Sequence, residues 1–469
     1  MILTDGLICI IPILLVIHRR FLDEFTKRTK LMFVISVLLP ALHLTFVGFR
    51  WQLTLLYVLH GIFAMLAGIL IWKGSVYRIG FKGVKKICVI VLSITIGLTA
   101  LLPVGILPAP TGPYKVGTAS ITITSPDRRE LYDVKYDVIR RFVVQFYYPA
   151  DRIGTRRAPA IENGDDVERG LSKLTKLPRV FLSHLSQVQS NSWYDTSVSS
   201  NEKQYPIIIL SHGWKGFKNI QTNKAEELAS QGYIVASIDH TYGSISTIFE
   251  DGTVKELNQS ALPDRADSEH FIKYGRALVE TFKGDIIETL DTLEEMNSNK
   301  GQSMLSGRLN MDKVAVVGHS MGGGAAVLAA IDDARIGAVV GLDAWVEPLQ
   351  SEFILSGLDV PYLHVGSESW IGGLNEPNLH MLLASSRNDR WLITIDRTLH
   401  TDFTMLSYLS PASGLIGLTG WGGKEAVDIQ RDLINTFMDY CINGKNTKNA
   451  IVDVVNKYEG ATAEAIYRK

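Results

Sequence analysis

Cysteine is scarce: three in 469 residues. Cys9 and Cys88 fall in apolar stretches and Cys441 stands alone much further on, so no disulfide framework is implied. No Cys or His pair has a ligand spacing that stands out, and neither a metal nor a cofactor is expected. Charge is thin as well, at 20% of residues against about 25% in typical soluble proteins. Mean hydropathy is +0.12. The shortage is uneven. Residues 1–107 hold 11 Lys and Arg against 3 Asp and Glu, a net of +8, while residues 108–469 hold 36 against 45, a net of −9. This composition excludes a disordered, a collagen-like or a disulfide-built chain. It also speaks against a nucleic-acid binder, because the positive charge lies between apolar runs instead of on one folded face.

Three runs contain no charged residue: 31–49, 53–72 and 87–107. Each is close to the roughly 20 residues a helix needs to cross a hydrocarbon core of about 30 Å. A weaker candidate, 1–18, is interrupted by Asp5 and Pro12. Between these four runs lie five, one and five Lys or Arg residues, an alternation that the positive-inside rule reads as cytoplasmic basic loops. The expectation is a transmembrane region of about four helices over 1–107, in contact with membrane lipid, with everything after Leu107 on the outer side of the cell membrane. No Lys or Arg precedes the first run, so a cleaved signal peptide fits poorly. His43 and His60 lie inside the runs and read as helix-packing or interface residues before functional ones.

Residues 107–113 contain three prolines and read as an extended linker. Beyond it the pattern alternates. Strands are predicted at 116–124, 141–148, 206–210, 233–238, 314–317, 338–342, 362–365 and 391–395; helices at 218–231, 269–297 and 424–440. The polar stretch 151–204 reads as an insertion, either a lid or a surface excursion. Short, fully apolar strands separated by helices predict an α/β fold over 108–469, with a mostly parallel sheet covered on both faces.

Gly318-His319-Ser320-Met321-Gly322 follows a buried strand and precedes a helix of small residues. The bare G-x-S-x-G pattern is weak. Its strand-to-helix setting is that of the nucleophile elbow of α/β-hydrolases, in which a serine stands on a tight bend. A serine hydroxyl needs a base, itself oriented by an acid, and in this fold they follow in the order acid, then histidine. His319 is too close in sequence, His364 lies within a strand and His380 in a helical stretch, which leaves His400, after the last strand, as the base. For the acid, Asp343 and Glu368 both follow strands and position alone does not separate them; Asp402 is a surface charge near the base. The oxyanion needs two donors: the backbone N–H of Met321, and that of Trp214 in the turn Ser211-His212-Gly213-Trp214. The His212 side chain reads as pinning that loop.

Four motifs, Leu210-Ser-His-Gly-Trp-Lys-Gly-Phe217, Val316-Val-Gly-His-Ser-Met-Gly-Gly323, Gly341-Leu-Asp-Ala-Trp345 and Leu399-His-Thr-Asp-Phe403, resemble the plasma-type platelet-activating-factor acetylhydrolases and their bacterial relatives. The linker Gly112-Pro-Tyr-Lys-Val-Gly117 is also similar to the start of that family's domain. The resemblance covers about 108–445. It implies an α/β-hydrolase that cleaves short or oxidised acyl chains from phospholipids without calcium, and it places the acid in the Leu-Asp-Ala-Trp motif, at Asp343. Met321 stands where the family has an aromatic residue and Trp214 is bulkier than its counterpart; both would line the acyl pocket. Dienelactone hydrolases use a cysteine nucleophile, and Ser320 argues against that chemistry. The expected function is therefore a membrane-anchored serine esterase acting through Ser320, His400 and Asp343 on an ester or phospholipid. A non-catalytic sensor on a hydrolase fold and an acyltransferase are the alternatives, and the sequence leaves the oligomeric state open.

Overall fold

The computed structural model describes residues 8–9, 27–73, 81–133, 137–298, 303–411 and 413–467. The chain forms two compact units. One comprises Met1–Gly105, Leu177–Val188 and Leu409–Ala412; the other comprises Ile106–Lys176, Gln189–Tyr408 and Ser413–Lys469.

In the first unit, helices span Lys27–Phe46, Thr54–Lys73 and Phe81–Leu101. Two stretches, Trp51–Trp72 and Gly83–Leu101, are long and apolar enough to cross a membrane, with mean hydropathies of 2.2 and 2.0. Of the four such helices expected, two are found among the described residues. The run at 31–49 falls short because its helix ends at Phe46, Gly48 turns the chain at φ +88°, and only Lys30–Phe46 remains as apolar helix. The run expected at 87–107 starts earlier, at Phe81, and stops at Leu101, two residues before Pro103, since proline disfavours helical backbone in the residue before it. The run 1–18 lies outside the described residues except for Ile8 and Cys9. The two intrahelical histidines make packing contacts: His43 Nδ1 is 3.1 Å from the Tyr57 hydroxyl, and His60 Nε2 donates to the Ile8 carbonyl at 2.8 Å. Phe181, from Leu177–Val188, meets Trp51 edge to face at 5.1 Å.

The second unit contains β1 (Lys115–Arg129), β2 (Ile139–Ala150), β3 (Arg156–Pro159), β4 (Gln189–Tyr194), β5 (Tyr205–Ser211), β6 (Ile234–Asp239), a separate hairpin of β7 (Ser246–Ile248) and β8 (Val254–Glu256), then β9 (Leu309–His319), β10 (Ile336–Leu342), β11 (Tyr362–Ser367), β12 (Arg390–Ile395) and β13 (Ala461–Tyr467). Eleven strands make one sheet in the order β13-β12-β11-β10-β9-β5-β6-β2-β1-β4-β3. From β6 through β12 all neighbours are parallel; antiparallel pairs flank them, as β12/β13, β2/β6 and β1/β2. The stretch 151–204 contributes β3 and β4 to one sheet edge, together with the helix Gly164–Thr175.

Side-chain alternation along the central strands explains the layering. Ile207 and Ile209 of β5, Val314 and Val316 of β9 and Val339 of β10 face the core shared with the helices Ser268–Ser298 and Met321–Asp332. Ile208, Leu210, Ala315, Val317 and Val340 face the opposite core, closed by the helices Thr222–Ser230, Gly423–Met438 and Asn449–Lys457. Each such buried Val, Leu or Ile side chain stabilises the fold by about 1.5–3 kcal/mol. Polar functional residues are excluded from this interior and collect where the parallel strands end.

Candidate active site

β9 is buried through Val314–Val317 and passes at once into a helix. Between them Ser320 takes φ 55° and ψ −120°, a conformation that costs energy for a residue with a Cβ. The surroundings enforce it. Ser320 N–H donates to Leu342 O at 2.9 Å, and its carbonyl accepts from Gly323 N at 2.9 Å and Trp345 N at 2.8 Å. Gly322 is required, because a Cβ there would lie 2.3 Å from Ser211 O. Met321 opens the helix, so its N–H has no intrahelical acceptor.

The loop after β5 crosses directly over this bend. A Cβ on Gly213 would sit 2.7 Å from Ser320 Cβ. His212 Nδ1 donates to Gly213 O at 2.7 Å, and Gly216 N–H donates to the same oxygen at 2.9 Å. Because C=O and N–H point opposite ways in a trans peptide, this anchoring turns the Trp214 N–H away from the His212 ring. With Nδ1 protonated, His212 Nε2 accepts from the Ser244 hydroxyl at 2.8 Å. Beside it, the Ser211 hydroxyl donates to His240 Nε2 at 2.8 Å and His240 Nδ1 donates to Asp285 at 3.0 Å. Asp285 also accepts from Arg140 and from Arg128, and Arg140 reaches on to Glu130 at 2.6 Å. Burial lowers the pKa of His212, and that of His240 to about 3, so both rings are neutral. Burial opposes the Asp285 charge, yet the Arg140 guanidinium holds that carboxyl well below the usual range.

His400 opens the turn His400–Phe403 after β12. Its Nδ1 donates to Asp343 Oδ2 at 2.9 Å, which leaves Nε2 with the free lone pair. Asp343 is fully buried, at φ 43° just beyond β10, and accepts from Ser367 N–H and hydroxyl, each at 2.7 Å. Trp370 stacks on the imidazole, centroids 4.4 Å apart and planes 7° from parallel. Ser320 Oγ has no hydrogen-bond partner among the described residues, His400 included. The two residues are nonetheless joined through their neighbours: His319 packs on His400, centroids 4.5 Å apart, and its Nε2 donates to His400 O at 3.0 Å. Burial and the nearby His400 push the His319 pKa well down. Three further side chains that the sequence reading did not single out hold the same turn by its carbonyls. Gln430 donates to Asp402 O at 3.1 Å, while Gln221 and Lys224 Nζ donate to Phe403 O at 3.2 and 2.9 Å.

The other candidates are engaged differently. Glu368, the alternative acid, follows β11 and accepts from Arg397 N–H. Asp402 is buried, accepting from Leu399 N at 2.7 Å and Gly420 N at 2.6 Å. His364 is buried against the Tyr362 hydroxyl at 3.0 Å. His380, with Glu376 and Glu464, brings ligand atoms within 4.8 Å of one another. Both carboxylates there are already engaged, Glu376 by Gly372 N–H and Glu464 by the Thr394 hydroxyl. A cavity of about 430 Å³ opens beside Ser320 and Met321, walled by Trp214, Phe271, Trp345 and Trp370. Its size falls within the range of small-molecule sites.

A parallel-centred sheet with a serine on a strained strand-to-helix turn defines an esterase-like α/β fold. A ferulic acid esterase from Streptomyces cinnamoneus shares it, with a TM-score of 0.59, 19% identity, and 77% of this chain and 99% of that one covered. Residues 103–438 match the family described as platelet-activating factor acetylhydrolase, isoform II, and the chain belongs to that family. Among curated relatives, the platelet-activating factor acetylhydrolases of Canis lupus familiaris, Gallus gallus and Cavia porcellus are 26%, 24% and 25% identical. The matches cover 51%, 65% and 70% of this chain and 57%, 75% and 75% of theirs. The chain thus spans little more than half the length of the canine relative.

Proposed function

We propose that this chain is a membrane-anchored serine esterase that hydrolyses short or oxidised acyl groups from phospholipids. The observation that carries the reading is the buried Asp343 holding His400 with Nε2 as the free acceptor, beside a serine fixed at φ 55°. Ser320 Oγ attacks the ester carbonyl while His400 Nε2 takes its proton. Apo geometry often leaves this hydrogen bond unmade until substrate binds. The Met321 and Trp214 N–H groups receive the oxyanion. His400 then protonates the departing alcohol, and water repeats the sequence to release the acid. Asp343 keeps the imidazole in the required tautomer and stabilises its charged form. The substrate class follows the names of the relatives, among them a fungal probable 1-alkyl-2-acetylglycerophosphocholine esterase that is 21% identical, and the cavity volume suits a short acyl chain.

For the anchor, support comes from the two apolar helices, whose side chains such as Val58, Met65 and Ile90 are about half exposed, and from the placement of Lys and Arg between the runs. The catalytic unit then lies on the outer face. A fluorophosphonate that does not cross membranes tests both parts in intact cells. Labelling of the wild type and not of Ser320→Ala is the expected result, with ester turnover falling about 10⁴- to 10⁶-fold in the variant. A Ser320 that stays unlabelled even in lysed cells would mark a binding protein on a hydrolase fold; one labelled only after lysis would overturn the orientation.

A further inference from the structure

The cavity beside Ser320 is aromatic on the walls described above, but one ion pair also lines it. Arg265 Nη2 donates to both Glu347 oxygens, at 3.0 and 2.8 Å, and Glu347 also accepts from Trp345 Nε1 at 3.0 Å. The Arg265 side chain is 48% exposed while that of Glu347 is 15%, and the guanidinium lies over the Phe271 ring at 5.0 Å. Glu347 is therefore the fixed member, held by Trp345 and by backbone bonded to Asn375, and it orients the arginine. Two of the guanidinium nitrogens, Nε and Nη1, donate to no protein group among the described residues. A planar cation fixed by stacking on one face and by a carboxylate at one end, with donors left over, is arranged to receive a further oxygen anion.

We propose that Arg265 is a specificity-determining residue that binds a negatively charged oxygen group on the substrate. This rests on the reading of Ser320 as nucleophile. The anionic group is a phosphate on the alcohol side of the ester or a carboxylate at the far end of the acyl chain; both present the same chemistry to the guanidinium.

Kinetics of the full chain on two matched pairs separate the sources. One pair is p-nitrophenyl butyrate against p-nitrophenyl hemisuccinate. The other is a dibutyryl glycerol methyl ether against dibutyryl glycerophosphate. Arg265→Met keeps an unbranched apolar side chain and removes the donors. It should lower the anionic-to-neutral ratio of kcat/KM about tenfold or more in at least one pair, mainly through KM, and the pair affected names the source. Arg265→Lys should restore part of the ratio. Unchanged ratios in both pairs, with thermal melting confirming folded protein, would overturn the proposal. Absence of wild-type turnover on all four esters would instead count against the esterase reading itself.

Discussion

The two loops that flank Ser320 are held in place by different means. The loop Ser211–Trp214 rests on a buried chain of ionic and imidazole groups, from His240 through Asp285 and Arg140 to Glu130. The turn His400–Phe403 rests on separate donors to its own carbonyls, from His319, Gln430, Gln221 and Lys224. The proposed chemistry accounts for the contrast. Oxyanion donors act by being preorganised and must not shift when charge develops, so a rigid, fully satisfied network suits them. The base must gain and lose a proton in every cycle, and the one carboxylate on its turn, Asp402, is engaged by the backbone N–H groups of Leu399 and Gly420. Among the described residues, Asp343 is the carboxylate hydrogen-bonded to the His400 ring, and Glu368 accepts from Arg397.

The largest effect should come from breaking the base side at that one contact. Asp343→Asn keeps the shape but favours the wrong imidazole tautomer, so kcat should fall about 10⁴-fold with melting little changed. Glu368→Gln should change kcat less than about threefold, because its carboxylate bonds only the Arg397 backbone among the contacts described. Comparable losses in the two variants would erase the distinction between the acids.

On the oxyanion side the leading effect is on stability. Asp285→Asn leaves the Arg140 guanidinium, 1% exposed, with Glu130 alone, and breaking a buried ion pair typically costs about 3–5 kcal/mol. Denaturant melts should show that loss, whereas removing Gln430, a single neutral donor, should cost only about 1 kcal/mol. If the two variants were equally mild, the claim that the loops are held differently would fail.

The sequence displayed one of these loops far better than the other. Ser320 and His400 are legible because a strand-to-helix glycine motif and a strand-terminal histidine are local signals. Asp343 and Glu368 both end strands, and what separates them is the side chain that comes back across 57 residues to reach Asp343. The buried chain is closed by a pair 145 residues apart, Arg140 and Asp285, so no window of sequence contains it. One signal was present: Asp285 interrupts the apolar stripe of Phe282, Ile286, Leu290 and Leu293, and a charge on a core-facing stripe needs a partner. Lys224 was hidden in the opposite way, since a lysine on a short amphipathic helix ordinarily faces water. The edge strands β3, β4 and β13 were not anticipated because their sequences carry little β-branched content, and pairing with a neighbour decides such segments. Two of the uncharged runs exceed the helices they contain, because uncharged length is not helix length and Gly48 and Pro103 lie past helix ends inside those runs.

The last prediction uses pH to tell the two supports apart. Burial lowers His240 to about 3 from its ordinary 6.5. Between those values the unfolded chain binds a proton that the folded one does not, so stability falls as pH drops from about 6.5 towards 3. Lys224 has its ordinary 10.5 lowered to about 7, again by burial, with Asp402 opposing. Here the folded chain has shed its proton above about 7 while the unfolded chain keeps one up to about 10.5, so stability rises with pH across that interval and levels off beyond it. The oxyanion side therefore weakens in acid and the base side strengthens in mild alkali, in windows that do not overlap. Lys224→Met should flatten the alkaline rise and leave the acid slope in place, as read from melting midpoints at pH 4, 5.5, 7, 8.5 and 9.5. His240→Gln should do the reverse. Parallel curves for wild type and Lys224→Met above pH 7 would mean that the amine is charged in the folded state, and the base turn would then rest on an ionic support after all.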